Sequence, residues 1–118
     1  MFENAKIIAI EPVKELCNYI EINKQSNSCK NIEIIRAICD MKNGESKDFS
    51  INPVHSQDNR VESPSSLWKK ESVETISIDS IINNESQPNF VFIKIDTQGF
   101  EESVINGATN FLMKNNNW

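Results

Sequence analysis

The sequence predicts an α/β domain built around a parallel sheet, and two observations support this class. Apolar runs rich in isoleucine occupy residues 7–10, 32–39 and most of 89–96, as in strands that are covered on both faces. The segment between the first two runs has helical apolar spacing. A strand, a helix and a second strand at this separation form a βαβ unit with a right-handed parallel crossover.

The first strand ends at Glu11, and an amphipathic helix follows Pro12. Proline is tolerated near a helix start because the first-turn N–H groups have no partner inside the helix. The apolar face of this helix follows i, i+3, i+4, i+7 spacing through Val13, Leu16, Cys17 and Ile20. The second strand then runs over 32–39 and stops before Asp40.

Turn and strand signals follow the second strand. The Asn-Gly pair at 43–44 predicts a tight turn, and alternation at Phe49 and Ile51 predicts a short strand. Residues 73–79 alternate weakly, which predicts a short edge element. Asp79 stands where it would cap the brief helical turn that comes next.

A long polar loop is predicted for residues 52–72. Loops of this length are uncommon in compact domains unless they are functional or disordered. Its bulky apolar pair, Leu67 and Trp68, would pin the loop to the body. We interpret the loop as a lid over a substrate.

The third strand candidate, 89–96, precedes a helical stretch. Gly107 lies within that stretch and would kink the helix or begin a second one. The apolar side chains that share one face of it are Val104, Ile105, Ala108, Phe111 and Leu112.

Length, charge and cysteine content limit the class of protein. The 118 residues, with a net charge of −5, suit one small domain over 1–118. Lysines and arginines are not clustered, which argues against a nucleic-acid or anionic-membrane surface. No apolar run approaches the ~20 residues of a membrane span, and a signal-peptide pattern is missing. Three cysteines without CxxC spacing predict neither disulfides nor a metal site. We therefore predict a cytoplasmic protein.

Carboxylates follow all three predicted strands, as Glu11, Asp40 and Asp96. Ligands of open parallel α/β sheets bind outside the carboxyl ends of the strands. Carboxylate oxygens only accept hydrogen bonds, and a ribose cis-diol offers two donors. Glu11 therefore suits a ribose, Asp40 could accept from an adenine amino group, and Asp96 would lie across the cleft.

Each carboxylate also has a purely structural interpretation. Glu11 could cap the following helix, and Asp40 could be an ordinary turn residue. Glu101 could be a first-turn dipole partner or a catalytic group. Lys94, on the opposite side from its isoleucine neighbours, could neutralise a nearby carboxylate.

The order of these segments resembles the FkbM family of S-adenosylmethionine-dependent methyltransferases. The resemblance runs from about residue 6 to 113. Its most specific part is the string "KIDTQGFE" at 94–101, followed by the Gly-Ala pair at 107–108. The Glu-Pro pair at 11–12 is shared more widely among methyltransferases.

The resemblance implies a Rossmann-like class I methyltransferase fold and methyl transfer to a hydroxyl of a sugar or secondary metabolite. The acceptor would be a small molecule or a glycan, and the cofactor S-adenosylmethionine, without a metal. The residues implied for the cofactor are Glu11, Ile38, Cys39, Asp40 and Asp96, and those implied for catalysis are Asp96 and Glu101.

One departure from the family concerns the first strand and its glycine-rich turn, which cradle the methionine part of the cofactor. Few residues precede 7–10, and the three glycines, Gly44, Gly99 and Gly107, all lie elsewhere. We therefore expect a central fragment without that strand-turn or the final strands, which alone binds S-adenosylmethionine weakly or not at all. The alternatives are a non-catalytic remnant or interaction module of the same fold, and a fragment of an NAD-dependent oxidoreductase.

Overall fold

The computed structural model describes residues 5–55, 58–61, 66–85 and 90–114. These residues form a mixed α/β architecture with two small sheets and four helices, in agreement with the predicted class. In chain order the elements are β1 (Ile7–Ile10), α1 (Lys14–Ser26), β2 (Ile32–Ile35), β3 (Ile38–Cys39), β4 (Ser46–Ile51), β5 (Lys69–Ile76), α2 (Ile78–Asn83), α3 (Glu101–Asn106) and α4 (Thr109–Lys114).

The predicted βαβ unit is confirmed. β1 and β2 pair in parallel, with Ile7 opposite Ile32 and Ile10 opposite Ile35, and α1 connects them. The strands are mostly half-buried rather than covered on both faces. The isoleucine runs therefore located the strands correctly but overstated their burial.

The second predicted strand, 32–39, is divided in two by the structure. β2 pairs with β1, whereas β3 pairs with β5 in a separate sheet. The chain bends at Arg36 and Ala37. The Arg36 guanidinium turns outward, donates from Nε to the Pro12 carbonyl (3.2 Å) and pairs through Nη2 with Glu71 (2.9 Å). Ala37 is small enough to be buried at the bend.

The second sheet has the order β3-β5-β4, with β3 parallel and β4 antiparallel to β5. The short strand predicted around Phe49 is confirmed as β4. The prediction that residues 73–79 form an edge element is wrong, because β5 is the central strand. The predicted 52–72 loop also ends earlier, since β5 begins at Lys69. Charged side chains on the outward face of β5 concealed this strand from a hydropathy pattern.

Two predicted details of the loop and turn region also have clear outcomes. Gly44 has a φ of +76°, which suits the predicted Asn-Gly turn. The predicted anchoring role of Leu67 is wrong, because its side chain is 86% exposed. Trp68 is half-buried beneath the Arg60 guanidinium, 5.8 Å from the ring centre.

The last helices are capped differently from the prediction. Ser77, not Asp79, caps α2 by accepting from the Ser80 N–H at 3.2 Å. Asp79 instead caps α4, accepting from the N–H groups of Asn110 (3.0 Å) and Phe111 (2.8 Å). Among the described residues, no helix is long and apolar enough to cross a membrane.

Residues 90–96 are extended but do not form the predicted buried strand. No strand of the described ranges pairs with this segment. Its side chains alternate, so that Ile93 and Ile95 pack against the core while Phe92 is 82% exposed. An apolar run alone could not reveal that one face of the segment is open.

Two hydrophobic clusters lie on opposite faces of β3. Ile38 packs into the first and Cys39 packs against the second. Both faces of β3 are therefore covered, as expected for a strand between two layers. The first cluster is centred on Val13, Ile38, Phe49 and Val73, and the second on Ile78, Val104 and Ala108.

Gly107 ends α3, which confirms that this glycine interrupts the helical stretch. It also touches the end of β3, since a Cβ added at Gly107 would lie 2.2 Å from the Asp40 carbonyl oxygen. Its φ of −73° is open to any residue, so the requirement for glycine here is purely steric.

We predict that Gly107→Ala lowers the free energy of unfolding by about 3 kcal/mol, through overpacking against backbone that cannot move aside. Gly44→Ala is the matched control, because Gly44 has open space around it and a φ of +76°. That change costs about 1 kcal/mol, through the left-handed conformation alone. Urea unfolding of the two variants measures the difference, and equal losses would contradict the close contact.

Candidate functional site

The chain segments next to Glu11 and Asp40 contribute to the first hydrophobic cluster, and the loop that follows Asp96 reaches the same cluster. Val13, two residues after Glu11, and Ile38, two residues before Asp40, belong to this cluster. Phe100, four residues after Asp96, packs against it. The Glu11 and Asp40 segments therefore share one apolar support, whereas the residues just before Asp96, Ile93 and Ile95, pack against the second cluster.

Asp40 is the most enclosed of the three carboxylates. Its side chain is fully buried and forms an ion pair with Lys47, whose Nζ lies 2.5 Å from Oδ2. The Ser103 hydroxyl and the Met41 N–H (2.7 Å) both donate to Oδ1. Burial raises the pKa of Asp40, but the hydrogen bonds from Lys47 and Ser103 outweigh burial and hold the pKa below its usual value.

These contacts occupy both oxygens of Asp40. Its backbone N–H donates to the Ile76 carbonyl at 2.9 Å, and Ile38 beside it is also buried. An adenine ring could contact Asp40 or Ile38 only if the residues around them moved. Cys39, which lies between them in the sequence, is partly accessible. Contact of Asp40 with adenine stays a prediction.

Glu11 lies between the end of β1 and the start of α1. Its Oε1 accepts from the Val13 N–H at 2.9 Å, so the carboxylate lies beside the start of α1 without forming a side-chain cap of that helix. Within the described residues, no donor bonds to the second carboxylate oxygen. Burial raises the pKa of Glu11, and the bond from Val13 opposes that rise. Glu11 is thus half-buried with acceptor capacity to spare.

Asp96 is exposed and paired with a neighbour on the same side of the extended segment. The Lys94 Nζ lies 2.9 Å from Asp96 Oδ2, and both side chains are more than two-thirds exposed. The predicted neutralisation of a carboxylate by Lys94 is confirmed by this contact. An ion pair in water contributes little to stability, so the pair leaves Asp96 accessible to a ligand.

The loop after Asp96 is organised by Glu101. Glu101 Oε1 accepts from the Thr97 N–H (3.3 Å), the Thr97 hydroxyl (3.2 Å) and the Gly99 N–H (3.0 Å). Gln98 and Gly99 have φ values of 52° and 91°. The Glu101 carboxylate is therefore directed at its own loop.

Lys47 and Ser103 are site residues that the sequence reasoning missed. Lys47 lies on the same face of β4 as Phe49 and Ile51, so period-two alternation could have revealed an inward lysine. Its ammonium also sits over the Phe100 ring, 5.2 Å from the centre. Ser103 precedes Gly107 by one helical turn and shares the helix face that meets Asp40.

Comparison with protein families gives one match of almost full length. The family model described as "Methyltransferase FkbM domain" matches residues 1–117. The matched span contains Glu11, Asp40 and Asp96 and the loop held by Glu101. Neither the curated proteins nor the solved structures give a match.

We predict that Asp40→Asn lowers the free energy of unfolding at neutral pH by about 2 kcal/mol. Breaking a buried ion pair usually costs more, but Lys47 is 32% exposed and can regain water. The pKa of folded Asp40 is depressed. The contribution of its charge to the free energy of unfolding is therefore complete above about pH 4, and it is lost as pH falls through the folded pKa.

Urea unfolding from neutral to acid pH tests this dependence. The gap between the wild type and Asp40→Asn should narrow at acid pH. Asp48→Asn is the matched control, because Asp48 is an exposed carboxylate on β4, next to Lys47, and should change little. A gap of constant size at all pH values would show that the charge of Asp40 contributes nothing.

Proposed function

Since the chain belongs to the FkbM methyltransferase family, we propose that it serves S-adenosylmethionine-dependent methylation of a hydroxyl group on a sugar or secondary metabolite. The observation that carries this proposal is that the segments next to Glu11 and Asp40 contribute to one apolar cluster, against which Phe100, four residues after Asp96, also packs. Cofactors of α/β sheets bind at such strand ends. The family match favours this chemistry over the NAD-dependent alternative.

The available donors and acceptors fit the adenosine part of the cofactor. Glu11 retains an acceptor oxygen in a half-buried setting, which suits a ribose hydroxyl. Cys39 is partly accessible and its thiol stays protonated, because burial raises its pKa to about 11. A neutral side chain of this kind suits the edge of an adenine ring. Ile38 and Asp40, on either side of Cys39 in the sequence, would support this part of the adenine site from within the fold.

Asp96 is proposed to serve the reacting end of the site. S-adenosylmethionine, when bound, supplies a methyl group that is already activated by its positive sulfonium. An exposed carboxylate such as Asp96 favours positive charge nearby and can accept the proton of a hydroxyl acceptor. Lys94, whose Nζ lies 2.9 Å from Asp96 Oδ2, would help to direct the carboxylate.

The finer fold assignment is also a proposal: a Rossmann-like class I sheet that the described strands fill only in part. The βαβ unit of β1, α1 and β2 supports it. The segment 90–96 supports it as well, because it is extended and already buries Ile93 and Ile95 on one side. Such a segment is suited to accept a neighbouring strand along its backbone.

A second candidate, a non-catalytic module of the same fold, is favoured by one observation. The carboxylates of Asp40 and Glu101 are both used inside the chain. If every strand-end carboxylate had a structural role, the fold could persist without a cofactor. Glu11 and Asp96 are therefore the residues whose behaviour distinguishes the two candidates.

We predict that S-adenosylhomocysteine at millimolar concentration shifts the backbone amide NMR signals of residues around Glu11, Cys39 and Asp96. Glu11→Gln should weaken this binding about tenfold, through loss of a charged acceptor. The Gln amide oxygen can still accept from the Val13 N–H, so the contact beside the start of α1 is preserved. Glu15→Gln, on the exposed first turn of α1, is the matched control.

The outcome separates the two candidates. Shifts at the three strand ends, with weaker binding only in Glu11→Gln, support the cofactor site. An unchanged spectrum at millimolar ligand, or equal effects of Glu11→Gln and Glu15→Gln, would favour the non-catalytic module.

A further inference from the structure

We propose that Glu101 is a positioning residue, which fixes the loop 97–99 and through it the direction of Asp96. This inference rests on the proposed function, because it concerns how Asp96 is presented to a ligand. It replaces the expectation that Glu101 itself takes part in the chemistry. The geometry around Oε1 points to this assignment.

One oxygen of Glu101 collects three donors from two residues of the loop. The Thr97 N–H and hydroxyl lie 3.3 and 3.2 Å from Oε1, and the Gly99 N–H lies 3.0 Å away. A carboxylate that accepts backbone N–H bonds is a stronger acceptor than a neutral oxygen. All three bonds go to the loop that follows Asp96, so Glu101 acts on the loop.

The loop needs such an anchor because its backbone is strained. Gln98 has a φ of 52°, in the left-handed region that residues with a Cβ adopt at a cost. Gly99 follows with a φ of 91°, and a Cβ built there meets no atom within 4 Å. Glycine is thus required for its conformation rather than for space. Two successive left-handed residues persist only when neighbouring contacts hold them.

Asp96 depends on this loop for its orientation. Thr97 is bonded to Asp96 through the peptide group whose N–H Glu101 holds, so the Thr97 contact restrains the backbone torsion of Asp96. The side chain of Asp96 is otherwise exposed, with Lys94 as its ion-pair partner. On the other side, Phe100 packs against the first cluster and Ser103 binds Asp40. Glu101 therefore links an exposed carboxylate to a fixed helix.

The pKa of Glu101 is consistent with this arrangement. The N–H groups of Glu101 itself and of Gly99 lower it, and Thr97 adds to the effect. We call the hydrogen bonds from Thr97 and Gly99 to Glu101 the clamp. The clamp is complete above the unfolded pKa of a glutamate, about 4.3, and is lost as pH falls through the lower folded pKa of Glu101.

Amide hydrogen exchange of the ¹⁵N-labelled chain tests the clamp without any cofactor. In Glu101→Ala we expect exchange at Thr97 and Gly99 to rise about tenfold. Val104 and Gly107, whose N–H groups donate to Phe100 (3.2 Å) and Ser103 (3.0 Å), should be unchanged. Glu101→Gln should restore most of the protection, because its amide oxygen still accepts.

Two further readouts separate positioning from general stabilisation. Glu102→Ala, an exposed neighbour in the same helical turn, should leave loop exchange unchanged. In the wild type, exchange at Thr97 and Gly99, corrected for its intrinsic pH dependence, should rise as pH falls through the folded pKa of Glu101. Glu101→Gln should lack that rise, since it cannot titrate.

The affinity for S-adenosylhomocysteine connects the clamp to the site. We expect severalfold weaker binding in Glu101→Ala and recovery to within about twofold in Glu101→Gln. Loop exchange that is unchanged in Glu101→Ala, or that rises equally throughout α3, would overturn the positioning role. Absence of binding by the wild type, with the exchange pattern as expected, would overturn the proposed function and leave the clamp standing.

Discussion

The buried carboxylate of Asp40 is the constraint on which the rest of this structure depends. It joins the end of β3 to Lys47 of β4 and Ser103 of α3. Gly107 packs against the backbone carbonyl of Asp40 so closely that a Cβ atom would not fit. An ionised group without water is unfavourable unless it is paired and hydrogen-bonded, so replacing any one of these neighbours alone should destabilise the fold.

This constraint divides the carboxylates of the site into two groups. Asp40 and Glu101 accept hydrogen bonds from the chain itself and hold the framework, Asp40 buried at the end of β3 and Glu101 through the 97–99 loop. Glu11 and Asp96 keep acceptor oxygens for a ligand. Rigid elements place binding groups more accurately than free loops do. Asp40 and Glu101 thus allow Glu11 and Asp96 to be placed.

The sequence predicted features that depend on local periodicity. The β1-α1-β2 unit, the turn at Gly44 and the helix break at Gly107 all follow from patterns within a few residues. The bend at Arg36 could not be found in this way, since its partner Glu71 is distant in sequence. β5 was underestimated because its outward face is charged and its inward face supplies few large apolar side chains.

The candidate site was predictable in outline but not in its contacts. Acidic residues after strands marked Glu11, Asp40 and Asp96, because each follows an apolar run. Which of them would be buried depended on Lys47 and Ser103, brought in from other elements. Local patterns cannot specify such long-range partners, although the inward face of β4 carried a usable signal for Lys47.

A double-mutant cycle between Asp40 and Ser103 tests the central constraint most directly. The free energies of unfolding of Asp40→Asn, Ser103→Ala and the double variant would be measured in urea at neutral pH. If the hydroxyl of Ser103 holds α3 to the end of β3 through Asp40, the cycle gives a coupling of about 1 kcal/mol or more. Losses that add to within about 0.3 kcal/mol would contradict the coupling, and with it the framework on which the site is built.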